Sequence, residues 1–173
     1  MLLSHQSILG YIDSNVIEEG RKENAGPVSY DLTTQRFFTD SSSYSAGLTS
    51  CTLNPGDSTF VSSVERINLP TDLACCVLIK NSRLRQGLRL DAPLYFPGHK
   101  TRVYFRVTNV SSDAITLDTT KGIAQLTFER LDEPTDAPYE GTFSDEFSFK
   151  GMGDYESLFG NDLKKLEDKA NEI

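Results

Sequence analysis

Basic side chains cluster between residues 80 and 106 of a chain that is acidic as a whole. The formal net charge of the 173-residue chain is -8, yet this stretch contains a single acid, Asp91. Its basic residues are Lys80, Arg83, Arg85, Arg89, Lys100, Arg102 and Arg106. A local excess of positive charge requires an anionic ligand, but a chain of net negative charge repels a long nucleic acid. The pattern therefore favours a small, highly charged ligand such as a nucleoside triphosphate and argues against nucleic acid.

Three of the polar residues in this stretch follow directly after an apolar run and are candidates for binding phosphate. The run occupies residues 73–79, and Lys80, Ser82 and Arg85 come next. A strand that leaves the core here presents side chains and backbone amides to an anion, and a cation beside a hydroxyl is common phosphate-binding chemistry. Charge alone leaves a second interpretation open, in which these residues form a solvated basic loop.

The N-terminal part predicts one helix and one strand. Ser4 fits the N-cap position, and apolar residues recur at helical intervals from Ile8 up to Gly20. Pro27 then opens a segment at 28–32 whose alternation of apolar and polar residues predicts a strand.

From there to Leu131, dense turn signals leave room only for short strands. The apolar pieces between the turns are rich in Val, Ile, Phe, Tyr and Thr, and none is long enough for a typical helix. They lie at 36–39, 58–61, 64–68, 73–79, 101–110, 114–117 and 123–128. This composition predicts an all-β barrel or sandwich, and the length of the chain predicts a single core.

The last part of the chain differs in composition and predicts a solvated tail. Residues 132–173 contain 12 acids and 4 bases, whereas residues 1–131 contain 13 of each. Prolines, glycines and aromatic residues occur there without a clear period, so we expect this segment to pack onto another surface. Leu163, Leu166 and Ala170 predict a short helix at the end.

The sequence also bears on location. No run approaches the roughly 18 apolar residues of a membrane span, and the start of the chain lacks the basic and apolar regions of a signal peptide. We therefore expect a cytoplasmic protein without a membrane partner.

Four segments carry motifs in a recognisable order. They are Pro-Val-Ser-Tyr-Asp-Leu at 27–32, Ile-Lys-Asn-Ser-Arg-Leu-Arg-Gln-Gly-Leu at 79–88, Pro97-Gly98 with the strand that ends at Asn109, and Lys-Gly-Ile-Ala-Gln-Leu at 121–126. The ordered set resembles the dCTP deaminase branch of the dUTPase-like family. The second segment is similar to that family's Gly-Arg-Ser-Ser-x-x-Arg-x-Gly-Leu, and the fourth to its Gly-x-x-Ile-Ala-Gln-Leu.

The resemblance implies a fold, an assembly and a ligand. It implies a distorted β-barrel of the β-clip type over residues 1–131, assembled as a homotrimer with sites at the subunit boundaries. The ligand would be a pyrimidine deoxynucleoside triphosphate, with Mg²⁺ bound through the triphosphate and no zinc. The segment 132–173 would close over the site or pack on a neighbour, and Pro138-Tyr139 resembles the start of the family's closing segment.

Individual residues match the phosphate half of the family's site. Lys80 would replace the first Arg of the second motif, Ser82 would match its second Ser, and Arg85 its second Arg. Gln125 would match the phosphate-facing Gln of the fourth motif, and Tyr139 would be a contact from the tail.

The catalytic half of the family's pattern is altered in this chain. The family places a catalytic Glu three residues before the Asn, where this sequence has Arg106, and an Asp before the Pro-Gly turn, where it has Phe96. An arginine stays protonated at ordinary pH and cannot act as a general base. A rearranged site would recruit Asp91 or His99 instead. The alternatives are that Asp91 only pairs with Arg89 or Arg102, and that His99 is an exposed turn residue.

Three functions follow from this mixture of matches and departures. The first is hydrolytic deamination of dCTP to dUTP. The second is a dUTPase, which would release pyrophosphate from dUTP. The third is a nucleotide-binding regulator without turnover, in which Arg106 holds a carbonyl or a phosphate. Zinc-dependent deaminase chemistry is excluded because the chain lacks the His-x-Glu and Pro-Cys-x-x-Cys motifs.

Overall fold

The computed structural model describes residues 1–39, 47–151 and 164–171. Strands dominate this part of the chain, with short helices beside them. The helices are α1 (His5–Asp13) and α2 (Asn81–Gln86), with a 3-10 turn at Lys22–Asn24. The strands are β1 (Ile17–Glu18), β2 (Tyr30–Asp31), β3 (Thr34–Phe38), β4 (Ser50–Leu53), β5 (Ser58–Asn68), β6 (Leu73–Ile79), β7 (Leu88–Asp91), β8 (Lys100–Asn109), β9 (Ile115–Asp118) and β10 (Ala124–Arg130).

The predicted N-terminal helix is present but shorter than the pattern indicated. Ser4 is the N-cap in extended conformation, and Ile8 is the fully buried side chain of α1. The helix ends at Asp13 because Asn15 adopts a left-handed conformation with φ of 58°, which Asn tolerates better than most residues. Ile17 therefore belongs to β1 and not to the helix.

The largest sheet carries its strands in the order β1-β5-β8-β7, and β3 also pairs with β5. On β8, Val103, Phe105 and Val107 are buried in the core, and Arg106 lies on the opposite, more exposed face. The two apolar pieces predicted at 58–61 and 64–68 form one strand, β5, whose register with β8 shifts between Ser62 and Arg66.

The remaining strands form a sheet with the order β2-β10-β6 and a two-stranded sheet of β4 and β9. A single core joins them, with Tyr30, Phe37, Phe128, Leu73, Leu126 and Ile67 among its fully buried side chains. The all-β prediction is confirmed. In the described residues, however, the strands divide among three sheets and do not form one closed ladder around a barrel.

One helix was not predicted. The segment from Asn81 to Gln86 is α2, although the turn signals around it had indicated that only strands would fit. Lys80 is its N-cap, and Gly87 ends it with φ of 99°. A Cβ atom at Gly87 would lie 2.5 Å from the Cβ of Ser111, so glycine is required there for space as well as for conformation.

The segment after Leu131 packs on the body of the same chain. Its carbonyl oxygens at Ser144 and Glu146 accept hydrogen bonds from the β8 amides of Lys100 (2.7 Å) and Arg102 (3.1 Å). The ring of Phe149 stacks on Phe38 with centroids 4.2 Å apart, and it also approaches Phe60 and Tyr104. The tail thus covers part of the outer face of the largest sheet.

The predicted C-terminal helix is seen over 164–171, where Leu166 is exposed. Leu163 lies outside the described residues. None of the helices in the described ranges is long and apolar enough to cross a membrane.

Candidate functional site

Polar side chains converge on the sheet formed by β2, β10 and β6. Ser29, Asp31, Lys80 and Gln125 form what we call the polar cluster. Gln125 on β10 lies opposite Asp31 on β2. Its side-chain oxygen accepts a hydrogen bond from the Ser29 hydroxyl at 2.8 Å, and its side-chain nitrogen donates to the carbonyl of Ile79 at 3.4 Å. These bonds fix the orientation of the Gln125 amide.

Lys80 brings the positive charge of the polar cluster. It follows β6, and its backbone amide donates to the carbonyl of Ile123 at 2.9 Å. Its ammonium donates to a carboxylate oxygen of Asp31, and both side chains are half-buried. A Cβ atom at Gly122 would lie 3.7 Å from the Lys80 Nζ, so the loop before β10 passes close to the ammonium. Asp31 thus holds the cation in place while leaving its remaining N–H donors available to an anion.

Arg83 lies next to the polar cluster and was missed as a site residue. Only 8% of its surface is exposed. Its Nε donates to the carbonyl of Gly122 at 3.2 Å, and a second guanidinium nitrogen donates to the Gln86 side chain at 2.9 Å. Both acceptors are neutral, so these two hydrogen bonds hold the guanidinium of Arg83 in place without cancelling its charge. The helical spacing of Arg83 and Gln86 would have revealed this pair if α2 had been predicted.

The other two phosphate candidates lie on the exposed side of α2. Ser82 and Arg85 are both exposed, and the Nε of Arg85 donates to the side-chain oxygen of Asn81 at 3.1 Å. The structure therefore brings Lys80 and Gln125 together in one cluster and places Ser82 and Arg85 on the adjoining helix.

Asp91 and Arg106 face each other across β7 and β8. The Asp91 carboxylate lies 3.3 Å from a guanidinium nitrogen of Arg89 and 3.9 Å from the Nε of Arg106. Arg106 also lies over the ring of Phe60, with its Cζ 5.9 Å from the centroid. Asp91 is thus paired with Arg89, as one interpretation held, and with Arg106 in place of Arg102. Chemically, the carboxylate can accept a proton and the guanidinium can bind a carbonyl or a phosphate.

His99 is buried, which corrects the alternative that it is an exposed turn residue. Its ring stacks on Tyr139 at 4.4 Å between centroids and meets Tyr95 edge-on at 5.2 Å. Its Nδ1 lies 2.9 Å from the backbone nitrogen of Phe96. The Tyr139 amide donates to the carbonyl of Pro97 at 2.8 Å. The tail therefore packs on the turn that carries His99. In this conformation the imidazole and the Tyr139 ring contact each other.

Acidification is expected to destabilise the fold through His99. Burial lowers the pKa of this imidazole below its ordinary value of 6.5. The unfolded chain therefore takes up a proton at His99 before the folded chain does, as the pH falls through about 6.5. The free energy of unfolding should then decline by at most about 1.4 kcal/mol per pH unit until the folded-state pKa is reached. Denaturant titrations between about pH 7.5 and 5.5 measure this slope, which should correspond to the uptake of about one proton when the chain unfolds.

The control for this prediction is His99→Phe, which keeps an aromatic ring but cannot titrate. The difference in slope between the two proteins isolates His99 from other titrating groups. Equal slopes would show that His99 does not contribute to the pH dependence of stability.

Glu65 anchors β2, the strand that carries Asp31 of the polar cluster, and sequence reasoning did not single it out. It is fully buried at the irregular part of β5. Its carboxyl group accepts hydrogen bonds from the Tyr30 hydroxyl at 2.9 Å and from the Thr33 amide at 2.9 and 3.1 Å. Burial raises the pKa of the Tyr30 phenol, which therefore stays a hydrogen-bond donor. Glu65 and the buried Ile67 are two residues apart on β5, so their side chains lie on the same face of the strand. This spacing is the feature of the sequence that could have indicated the burial of Glu65.

The donor atoms near the polar cluster are hard oxygen ligands. Asp31, Ser29 and Gln125 offer one carboxylate, one hydroxyl and one amide, which suit Mg²⁺. Among the described residues, no group of three or more His, Cys, Asp or Glu side chains could hold a metal ion. Asp31 is the one anionic group among these three side chains, so their donor chemistry fits a hard divalent cation with a single protein carboxylate.

The sequence of the chain is similar to those of known proteins of one family. A sequence model of the dCTP deaminase-like family matches residues 44–131. A dCTP deaminase from Thermococcus gammatolerans is 25% identical over 135 residues, which cover 74% of this chain and 83% of that protein. A dUMP-forming dCTP deaminase from Nocardioides sp. is 31% identical over 162 residues, which cover 80% of this chain and 85% of that protein.

Solved structures share the fold. The dCTP deaminase from Agrobacterium tumefaciens matches with a TM-score of 0.61 at 16% identity, over 76% of this chain and 49% of that one. This chain thus spans about half the length of the Agrobacterium chain that it matches. The dUTPase of EIAV matches with a TM-score of 0.51 at 20% identity, over 72% of this chain and 91% of that one. The family match and the Nocardioides relative together show that the chain belongs to the dCTP deaminase-like family.

Proposed function

We propose that this protein binds pyrimidine deoxynucleoside triphosphates and hydrolytically deaminates dCTP to dUTP. Membership of the dCTP deaminase-like family supports the substrate class, and relatives named dCTP deaminase support the reaction. The observation that carries the proposal is the polar cluster, in which Asp31 holds the Lys80 ammonium beside the fixed amide of Gln125.

The triphosphate would bind at the polar cluster and along α2. Lys80 would donate to phosphate oxygens, and Gln125 would contribute its amide from β10. Ser82 and Arg85 would reach the same phosphate chain from the exposed side of α2. Mg²⁺ would arrive on the triphosphate and neutralise part of its charge, with Asp31 as the protein carboxylate that shares it.

The chemical step needs a carboxylate, and Asp91 is the one that the β7–β8 pair supplies. A water molecule attacks C4 of the cytosine ring, one of its protons passes to Asp91, and the electron pair of the C4=N3 bond moves onto N3. Asp91 then gives this proton to the amino group, the exocyclic C4–N bond breaks, and ammonia leaves. The hydroxyl that remains on C4 becomes the carbonyl as its proton passes to N3. Arg106, which stays protonated, orients Asp91 and stabilises negative charge on the ring. His99 supports the turn instead, because its Nδ1 lies 2.9 Å from the backbone nitrogen of Phe96 and its ring packs edge-on against Tyr95.

The assembly and the tail complete this proposal. A homotrimer would let residues on α2 of one subunit meet a nucleotide that is held by another. Tyr139 and the segment 132–173 would close over the bound nucleotide. A cytoplasmic location would give the protein access to the nucleotide pool.

A nucleotide-binding regulator without turnover is the second candidate. It is favoured by Arg106, which stands where the family places its catalytic Glu, and by the pairing of Asp91 with two guanidinium groups. A dUTPase is the related third possibility and is not favoured by the named relatives.

One assay separates these functions. The pure protein is incubated with Mg²⁺ and with dCTP or dUTP, and ammonia and pyrophosphate are measured separately. We expect ammonia from dCTP. Pyrophosphate from dUTP without ammonia would establish the dUTPase, and saturable binding without either product would establish the regulator. Asp91→Asn is the matched variant, because it keeps the size of the side chain but removes the base, and it should abolish ammonia release without abolishing binding.

A further inference from the structure

Arg83 carries a buried positive charge that no carboxylate of the described chain neutralises. Only 8% of its surface is exposed. Its guanidinium donates to two neutral oxygens, the carbonyl of Gly122 at 3.2 Å and the side chain of Gln86 at 2.9 Å. No salt bridge joins it to an Asp or Glu among residues 1–39, 47–151 and 164–171. A charge at this depth is normally paired with an opposite charge, because water no longer stabilises it.

The loop that leads into β10 contacts both Arg83 and Lys80. Arg83 holds the carbonyl of Gly122, and the backbone amide of Lys80 donates to the carbonyl of the next residue, Ile123, at 2.9 Å. A Cβ atom at Gly122 would lie 3.7 Å from both the Cδ and the Nζ of Lys80. Gln125 of the polar cluster follows two residues after Ile123. The two cations therefore contact the same short segment of backbone, and this segment leads directly to Gln125.

The charges around this loop do not balance. Lys80 is paired with Asp31, so Arg83 leaves the polar cluster and its neighbourhood with an excess positive charge. Asp118, at the end of β9, accepts hydrogen bonds from the amide and the hydroxyl of Thr120. These bonds are the main reason that the pKa of Asp118 is lowered, and nearby cations, Arg83 included, lower it further. An anion bound at the polar cluster would therefore supply the charge that the described chain does not.

We propose that Arg83 is a positioning residue for a triphosphate: it holds the loop into β10 in place, and its buried charge strengthens the binding of phosphates at Lys80 without touching them. The identity of the anion rests on the proposed function, whereas the missing counter-ion rests on the surroundings of Arg83. In the motif at 79–88, Arg83 occupies one of the two positions that the family pattern leaves open. Because Gly122 and Gln86 cover the guanidinium, its charge acts across a short, poorly solvated distance.

The sharpest test supplies the counter-ion from within the chain. Gln86→Glu keeps the size of an exposed side chain and places a carboxylate on the guanidinium of Arg83. It should raise the midpoint of thermal unfolding, because the buried charge gains an ionic partner. It should also weaken the binding of inorganic triphosphate with Mg²⁺ by about 10-fold in calorimetry, because the charge of Arg83 is then neutralised. If Arg83 has only a structural role, the same variant gains stability without losing affinity.

Leu84→Glu is the matched control. Leu84 is 58% exposed on the same helix, so the variant adds the same charge where water surrounds it. Solvent and salt screen such a charge, and the affinity for triphosphate should fall by no more than about 2-fold. If the two Glu variants lose affinity equally, or if Gln86→Glu binds triphosphate like the wild type, the proposal is overturned.

A second pair of variants tests the charge of Arg83 directly. Arg83→Lys and Arg83→Gln both keep a donor for the Gly122 carbonyl, but only the lysine is a cation. We expect Arg83→Lys to bind inorganic triphosphate about 10-fold more tightly than Arg83→Gln. Equal affinities would show that the hydrogen bond alone matters and would overturn the proposal.

The proposed function and this inference can fail separately. A wild-type protein that binds triphosphate but releases no ammonia from dCTP would refute deamination, while the Gln86→Glu comparison still decides the role of Arg83. Ammonia release together with unchanged triphosphate affinity in Gln86→Glu would refute the role of Arg83 alone. A wild-type protein that binds neither inorganic triphosphate nor dCTP would overturn both.

Discussion

Replacing Lys80 with Met is expected to weaken the binding of a deoxynucleoside triphosphate by about 100-fold, which corresponds to about 2.7 kcal/mol. The ammonium is the cation that Asp31 holds within the polar cluster. Methionine keeps most of the length of the side chain but donates no hydrogen bond. It also leaves the Asp31 carboxylate without its partner, so negative charge would face the incoming phosphates. Calorimetry with dCTP and Mg²⁺ measures the change.

The chain offers a matched control in Lys22, which forms an ion pair with Asp13 at 2.7 Å. Both of those side chains are about 60% exposed, with Asp13 at the end of α1 and Lys22 at the start of the 3-10 turn. Lys22→Met therefore removes the same charge and the same kind of ion pair, and it should leave nucleotide affinity unchanged. If the two variants lose affinity equally, the effect is one of net charge and Lys80 does not contact the phosphates. Arg85→Ala, tested alongside, reports whether the exposed side of α2 contributes.

Glu65→Ala is expected to lower the free energy of unfolding by about 4 kcal/mol. The substitution removes the acceptor for the buried Tyr30 hydroxyl and for the amide of the half-buried Thr33. Because Tyr30 precedes Asp31 on β2, the loss also loosens the strand that carries the polar cluster. Urea titration followed by circular dichroism measures the free energy.

Asp13→Ala is the control for this second variant. It removes an exposed carboxylate from a surface ion pair, and such pairs contribute at most about 1 kcal/mol. A Glu65→Ala protein as stable as this control would mean that water satisfies the two donors and that Glu65 does not hold β2 in place.

The polar cluster was largely predictable from the sequence. Lys80 and Gln125 belong to short motifs whose order identifies the family, and both lie at the start or end of strands that pair directly. Their meeting therefore follows from strand order, because β6 and β10 are neighbours. The helix α2 was not predictable in the same way, since Asn81 and Ser82 are typical turn residues and the helix has only six residues.

The residues that were missed depend on contacts between distant parts of the chain. Arg83 donates to a carbonyl that lies 39 positions away, and Glu65 accepts from a hydroxyl 35 positions away. No local pattern encodes either bond. The burial of His99 also depends on a distant part of the chain. A histidine that follows Pro-Gly is typical of an exposed turn, but here the ring of Tyr139 from the tail stacks on the imidazole.

The tail along β8 has a consequence for how this protein behaves in concentrated solution. A strand edge with unpaired amides is a template on which another chain can form a β-ladder. Here Ser144 and Glu146 bond to two of those amides, and the Tyr95 hydroxyl bonds to a third. The tail thus covers an edge that is prone to self-association. A chain ending at Leu131 would expose that edge of β8 to other copies of the protein.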